Sequence, residues 1–192
     1  MRTSNEMQVG KAGEYLVCAD LILKGFVAFP SEQGLPYDVL LDTGSKLLRI
    51  QVKTTEGLRK IPQRNKDSLA YIFGIKLHGK RRNAINNDCD LFALVCLDTM
   101  KIGYITGSQM PSTINIRADE LRGTYYDEDG ITTYHKAVQL RKEGLDNRNI
   151  ALRLGKNESV ISRYLQDGFV PFETKARYFS DFIRTKEWFY EL

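Results

Sequence analysis

The stretch YDVLLDTGSKLLRIQVKTT, from Tyr37 to Thr55, reads as two β-strands joined by a tight turn. Yet Asp38, Gln51 and Lys53 stand among its apolar residues. Side chains of a strand alternate between faces. With strands over Tyr37–Asp42 and Leu47–Thr54, Val39 and Leu41 join Leu48, Ile50 and Val52 in one apolar layer. The loop Thr43-Gly44-Ser45-Lys46 has a length common in hairpins and pairs Asp42 with Leu47, hence Asp38 with Gln51. Opposed residues of an antiparallel pair share a face. The second face therefore carries Asp38, Leu40 and Asp42 opposite Arg49, Gln51 and Lys53. A solvated outer face is the ordinary reading of such residues. GKAGEYLV (Gly10–Val17) weighs against it, because its small residues let a helix approach a sheet closely and bring Glu14 within reach of Asp38.

Working outward, Met7, Val9, Ala12, Leu16, Ala19 and Leu23 recur at helical spacing between Asn5 and Lys24, with cap residues in TSNE and Gly25 after the last turn. Phe26–Pro30 reads as a short strand ended by proline, and Tyr71–Leu77, Asp90–Leu97 and Lys101–Thr106 as further strands pairing in sequence. A helix followed by strands predicts an α+β (α/β-like) domain with a mixed sheet flanked by helices. After LRGTYYDEDGITT the strand pattern stops, and short helical segments separated by glycines run to the end. The expected division is a core over residues 1–128 and a helical region over 129–192. No internal repeat or low-complexity segment is present.

A chain of 192 residues with 42% hydrophobic and 27% charged residues is of globular type. No apolar run approaches the roughly 20 residues a membrane-spanning helix needs, and the N-terminus lacks a signal-peptide core. The expectation is a cytoplasmic protein with no membrane contact. Cys18, Cys89 and Cys96 form no CxxC pair and read as buried free thiols, and two histidines give no basis for a histidine zinc site. The net charge of +4 mildly favours a polyanionic partner.

GKAGE, PYDVLL and IQVKT, taken in that order, resemble the PD-(D/E)XK nuclease superfamily: a helix glutamate, an aspartate after a proline at a strand start, and (D/E)-X-K on the next strand. The likeness spans about residues 1–110. It implies a Mg²⁺-dependent endonuclease whose catalytic set is Glu14, Asp38, Gln51 and Lys53. Asp38, Gln51 and the Val52 carbonyl would be metal ligands, Glu14 would hold a water of the ion or a second ion, and Lys53 would activate the attacking water. Gln51 stands where the family usually has an acid, so weaker metal affinity is expected. The glutamine variant is most similar to the branch of cyanobacterial group I intron homing endonucleases. Archaeal Holliday-junction resolvases are similar but usually keep the acid.

NRNIALRLGKNESVISRYLQ, residues 147–166, resembles a helix-turn-helix. Ile150, Ala151 and Leu154 form one apolar stripe, Gly155 fits the turn, and Val160, Ile161, Tyr164 and Leu165 form a second stripe. Asn157, Ser159, Ser162, Arg163 and Gln166 would then face DNA, beside Glu158. Lys80, Arg81 and Arg82, with Lys76, form a basic run suited to phosphate. The expected function is a site-specific, homing-type endonuclease acting on double-stranded DNA as a homodimer or homotetramer. The alternatives are a Holliday-junction resolvase, a restriction-type enzyme and a catalytically inactive DNA-binding regulator.

Overall fold

Ser4 opens the first helix, its hydroxyl accepting from the Met7 amide at 3.3 Å. Helix α1 (Asn5–Leu23) buries Gly13, Val17, Cys18 and Leu21. This is a different stripe from the one the spacing predicts: Met7 and Leu23 stand 58% and 88% exposed, and Ala12 and Ala19 also face out. The helix is apolar on more than one side, and close approach selects the face. A Cβ on Gly13 would lie 2.0 Å from Thr54 Oγ1. Gly13 therefore meets the sheet, and Val17 and Leu21 follow it inward at four-residue steps.

The computed structural model describes residues 4–61, 68–75, 88–122, 130–169 and 177–192. Its strands are β1 (Val27–Pro30), β2 (Val39–Asp42), β3 (Leu47–Thr55), β4 (Arg59–Lys60), β5 (Leu69–Gly74), β6 (Leu91–Cys96), β7 (Lys101–Thr106) and β8 (Thr113–Ile116). The hairpin has the expected register, from Val39 opposite Ile50 to Asp42 opposite Leu47. Its turn uses Gly44 at φ +83°, and Asp42 Oδ1 accepts from the Gly44 amide at 2.7 Å.

Strands pair in sequence within β1-β2-β3, β4-β5 and β6-β7, but the expectation does not hold throughout. The main sheet has the order β1-β2-β3-β6-β7, while β4, β5 and β8 form a second sheet. β3 and β6 run parallel, from Ile50 beside Leu91 to Thr55 beside Cys96. All of Leu91–Cys96 is buried, as a central strand covered on both faces must be. On one face α1 covers Val39, Leu41, Leu48, Ile50 and Val52. On the other, Phe92 and Leu94 pack against Tyr71, Phe73, Ile114 and Ile116 of the second sheet. The class is the expected α+β, a mixed sheet flanked by helices.

Helices α2 (Gly130–Lys142), α3 (Asn147–Leu154) and α4 (Glu158–Tyr164) share a core of their own, made by Ala137, Leu140, Ile150, Ala151, Leu154 and Ile161. The final segment departs from the expected helix. Tyr178 bridges to Arg117, a 3-10 turn spans Phe179–Phe182, and only Lys186–Tyr190 is α-helical (α5). Phe179 and Phe182 enter the core on the second-sheet side and Phe189 the core on the α1 side. Reaching both sides requires the chain to wrap the exposed edge of β7, where Phe182 Cβ would lie 2.8 Å from a Cβ on Gly103. One straight helix has no such path. Residues 177–192 thus pack with the sheet domain rather than with α2–α4. Cys18, Cys89 and Cys96 are buried free thiols, as expected. Among the described residues no helix is long and apolar enough to cross a membrane.

The seating of α1 is testable. Thr54 is β-branched and wedged against the helix, so Gly13→Ala should force α1 outward. The expected loss is about 1–3 kcal/mol, read as a lower midpoint in thermal unfolding. Thr54→Ala in the same chain should recover part of it. An unchanged midpoint in Gly13→Ala would show that the helix does not sit this close.

Candidate active site

β3 outruns its hairpin partner. Pairing with β2 stops at Val39 and Ile50, yet β3 continues to Thr55. Along this extension the odd residues turn their backbone toward β6, since Asp90 N donates to Arg49 O at 2.8 Å and Leu97 N to Thr55 O at 3.0 Å. Val52 and Thr54 therefore turn N–H and C=O to the open side. Asp38, just ahead of β2, closes the first of these positions. Its Oδ2 accepts from Val52 N at 2.7 Å, while its own amide donates to Ile50 O at 2.9 Å.

A cleft of about 860 Å³ runs along this edge and is lined by Glu14, Asp38, Gln51, Val52, Lys53 and Thr54 together with neighbours from α1 and β4. The four expected catalytic side chains, Glu14, Asp38, Gln51 and Lys53, thus border one space. Their arrangement is an edge rather than the single face the hairpin pattern implied. Glu14 comes from the helix on the Val52 side of the sheet, and Gln51 and Lys53 lie on the opposite side by alternation. Asp38 stands between them because its carboxylate is drawn to a backbone N–H at the strand margin. Arg49, which shares the Gln51 side, is held by Asp90 at 3.1 Å.

Lys53 makes no ion pair or hydrogen bond among the described residues. Burial holds its ammonium below the ordinary lysine pKa, and the nearby Asp38 charge opposes that shift. Gln51 has no hydrogen-bond partner for its amide there either. Glu14 Oε2 is paired with Lys11 Nζ at 2.6 Å. The other Asp38 oxygen accepts no hydrogen bond among the described residues. No group of three or more His, Cys, Asp or Glu gathers among the described residues. The donors at the edge are two carboxylates, one amide oxygen and the Val52 carbonyl, all hard oxygens. This set fits Mg²⁺, which takes one or two carboxylates and keeps several waters.

Sequence reasoning missed Lys11 and Thr54. Lys11 was legible from its three-residue spacing to Glu14. Thr54 Oγ1 is buried without a partner, and nothing in its strand pattern marks it.

The helix-turn-helix residues are placed as follows. Asp146 caps α3, accepting from Asn149 N at 2.8 Å, and Gly155 makes the turn at φ +60°. Ala151 and Ile161 are buried where the two helices meet, and Asn157, Ser159, Ser162, Arg163 and Gln166 are exposed. Asn157 precedes α4 without capping it through its side chain. The basic run with Lys76, Lys80, Arg81 and Arg82 lies outside the described residues.

A model of the PD-(D/E)XK endonuclease family matches residues 4–124. Among solved structures, similarity is found to a bacterial homing endonuclease, I-Ssp6803I, at 15% identity over 60% of this chain and 76% of that chain, with a TM-score of 0.44. Comparison with curated proteins finds no match.

A partly buried lysine without an ion pair carries a stability cost. A lysine whose folded pKa lies below its unfolded value of 10.5 binds fewer protons when folded. Its cost is full below the folded pKa and vanishes as the pH rises past the unfolded one. Lys53→Met should therefore raise the unfolding midpoint by a few degrees at pH 7, with the advantage shrinking toward pH 10.5. Thermal melts across that range check it. A less stable Lys53→Met at pH 7 would show that the ammonium has a partner in the fold.

Proposed function

We propose that this chain, which belongs to the PD-(D/E)XK endonuclease family, is a Mg²⁺-dependent, site-specific endonuclease of homing type acting on double-stranded DNA. The observation that carries the reading is the convergence of Glu14, Asp38, Gln51 and Lys53 on one cleft at the open edge of β3. Asp38, Gln51 and the Val52 carbonyl would hold the ion, with Glu14 beside them. When bound, the ion would supply charge neutralisation on the scissile phosphate and a more acidic water.

The chain's own residues do the rest. Asp38, oriented by Val52 N, would fix where the cation sits and so where a phosphate can approach. Burial lowers the Lys53 pKa, so it would oppose charge developing on the phosphate as an ammonium and, once deprotonated, take a proton from the attacking water. Gln51 contributes an oxygen without a charge, which weakens the cation site. Cutting both strands with one such site per chain takes at least two chains, so a homodimer or homotetramer is proposed.

In this reading α3–Gly155–α4 reads the DNA, with Arg163, Asn157, Ser159, Ser162 and Gln166 on its exposed side. Lys80, Arg81 and Arg82 would add phosphate contacts. The neutral Gln51 favours a second reading, a DNA-binding regulator that does not cut.

Mg²⁺-dependent cleavage of a phage or plasmid library is the direct test. Asp38→Asn should abolish cutting and leave DNA binding nearly unchanged. Gln51→Glu should stay active and reach half-maximal rate at lower Mg²⁺. If wild type binds a site without cutting it at any Mg²⁺ concentration, the regulator reading holds. Cutting confined to four-way junctions would point to resolution instead.

Recognition is tested by Arg163→Ala. An arginine bidentate to guanine contributes about 1–3 kcal/mol at one position. Its loss should weaken binding and relax preference at that position, in a binding assay over single-base variants at two salt concentrations. A phosphate contact would weaken all variants alike, with a shallower salt dependence. Unchanged affinity and preference would remove α4 from the DNA interface.

A further inference from the structure

Lys11 occupies a place that the reading of the cleft leaves unexplained. Its Nζ is 2.6 Å from Glu14 Oε2, with the lysine side chain 49% exposed and the glutamate 18%. It lines not the cleft along β3 but a second cavity of about 550 Å³, bordered also by Ser31, Leu35 and Tyr37 of the loop before β2. Gly10, Glu14 and Asp38 border both cavities. The two carboxylates are thus a partition with an opening on either side. A Cβ on Gly10 would meet nothing within 4 Å, which leaves the rim between the cavities clear. A strand of nucleic acid with one phosphate at the cleft has room to continue past this rim, on the side where Lys11 stands.

We propose that Lys11 is an exchangeable counter-ion: it holds Glu14 while no divalent cation is bound, and moves to a phosphate of the bound strand once a cation takes the carboxylate. The proposal rests on the reading of Glu14 and Asp38 as the ion-holding pair. Three features favour exchange over a fixed structural bridge. An exposed pair three residues apart on a helix is weak and gives way readily. The lysine ammonium is a compact, mobile charge on a flexible stem, suited to phosphate as a point charge. Among the described residues, the other carboxylate acting on Lys11 is Asp38, on the same partition. Glu32 also borders the second cavity, without an ion pair to Lys11 among the described residues. Because cation and nucleic acid each relieve the same ion pair, their binding is positively coupled, and the coupling is reciprocal.

The test uses the full chain, Ca²⁺ as probe ion and a mixed-sequence double-stranded oligonucleotide. Calorimetry gives the Ca²⁺ affinity of the free protein, and fluorescence anisotropy gives DNA affinity with and without Ca²⁺. Lys11→Met should bind Ca²⁺ about two- to five-fold more tightly than wild type. It should lose DNA affinity chiefly when Ca²⁺ is present, so the gain that Ca²⁺ confers on DNA binding shrinks. Lys11→Arg should keep that gain. Equal loss of DNA affinity with and without Ca²⁺ would make Lys11 an ordinary phosphate contact and overturn the exchange. So would unchanged or weaker Ca²⁺ binding in Lys11→Met while Asp38→Asn loses the ion. Wild-type Ca²⁺ affinity in Asp38→Asn would overturn the site reading, and the exchange with it.

Discussion

The structure turns on one hydrogen bond, from Val52 N to Asp38 Oδ2 at 2.7 Å. A strand that runs past its neighbour presents unpaired N–H and C=O groups, and a partly buried N–H needs an acceptor. A further strand would satisfy β3 and leave no cleft. A single carboxylate satisfies one N–H and leaves the margin open beyond it. The same interaction fixes where a negative charge stands and how it is turned. Supporting the fold and orienting the anion are therefore one task at Asp38, and the residues gathered there are the ones that can reach a strand margin from either side.

Charge around that margin is unevenly matched. Glu14 is brought in by its neighbour in sequence, since Gly13 lets α1 descend onto Thr54 and the next residue then borders the cleft. It arrives with its own cation, Lys11. Lys53 arrives with none, and burial holds its pKa low against the pull of Asp38. Arg49, the nearest strong cation on the same strand, is committed to Asp90. A site left with an uncompensated lysine and hard oxygens is less stable than a fully paired one. An anion beside Lys53 and a cation beside the carboxylates would complete both halves of its electrostatics. Perturbed groups of this kind concentrate at functional sites.

Much of this was legible from the hairpin. Period-2 alternation and the loop length determine its register, so the apolar layer and the positions of Gln51 and Lys53 followed from local rules. What sits beside β3 did not. The parallel neighbour β6 is brought in across residues 56–90, and no local pattern announces a crossover of that length. β8 was overlooked because Ile114 and Ile116 give only two alternations. The buried stripe of α1 could not be read from apolar spacing, since Leu23 is apolar and 88% exposed while Gly13 is buried. Packing distance chose that face. The aromatic C-terminus was read as helix because Phe179, Phe182 and Trp188 have near-helical spacing. Tertiary contacts on both faces of the sheet override it.

The return of the chain to the sheet domain changes how the helical unit must be understood. Arg117 N donates to Arg177 O at 2.8 Å, and Phe179 N donates to Arg117 O at 3.0 Å. The chain therefore leaves the sheet domain and rejoins it close to the same point, and α2–α4 form an insertion rather than a terminal appendage. Residues 123–129 and 170–176 connect it, and seven residues reach at most about 25 Å however they run. A unit held by two such connections cannot search freely. If it reads DNA, the distance between the bases it reads and the phosphate at Asp38 is confined by the chain itself. Specificity and cutting position are then linked by covalent geometry. The aromatic residues that bring the chain home, Phe179, Phe182 and Phe189, anchor the second of the two connections in the cores of the sheet domain.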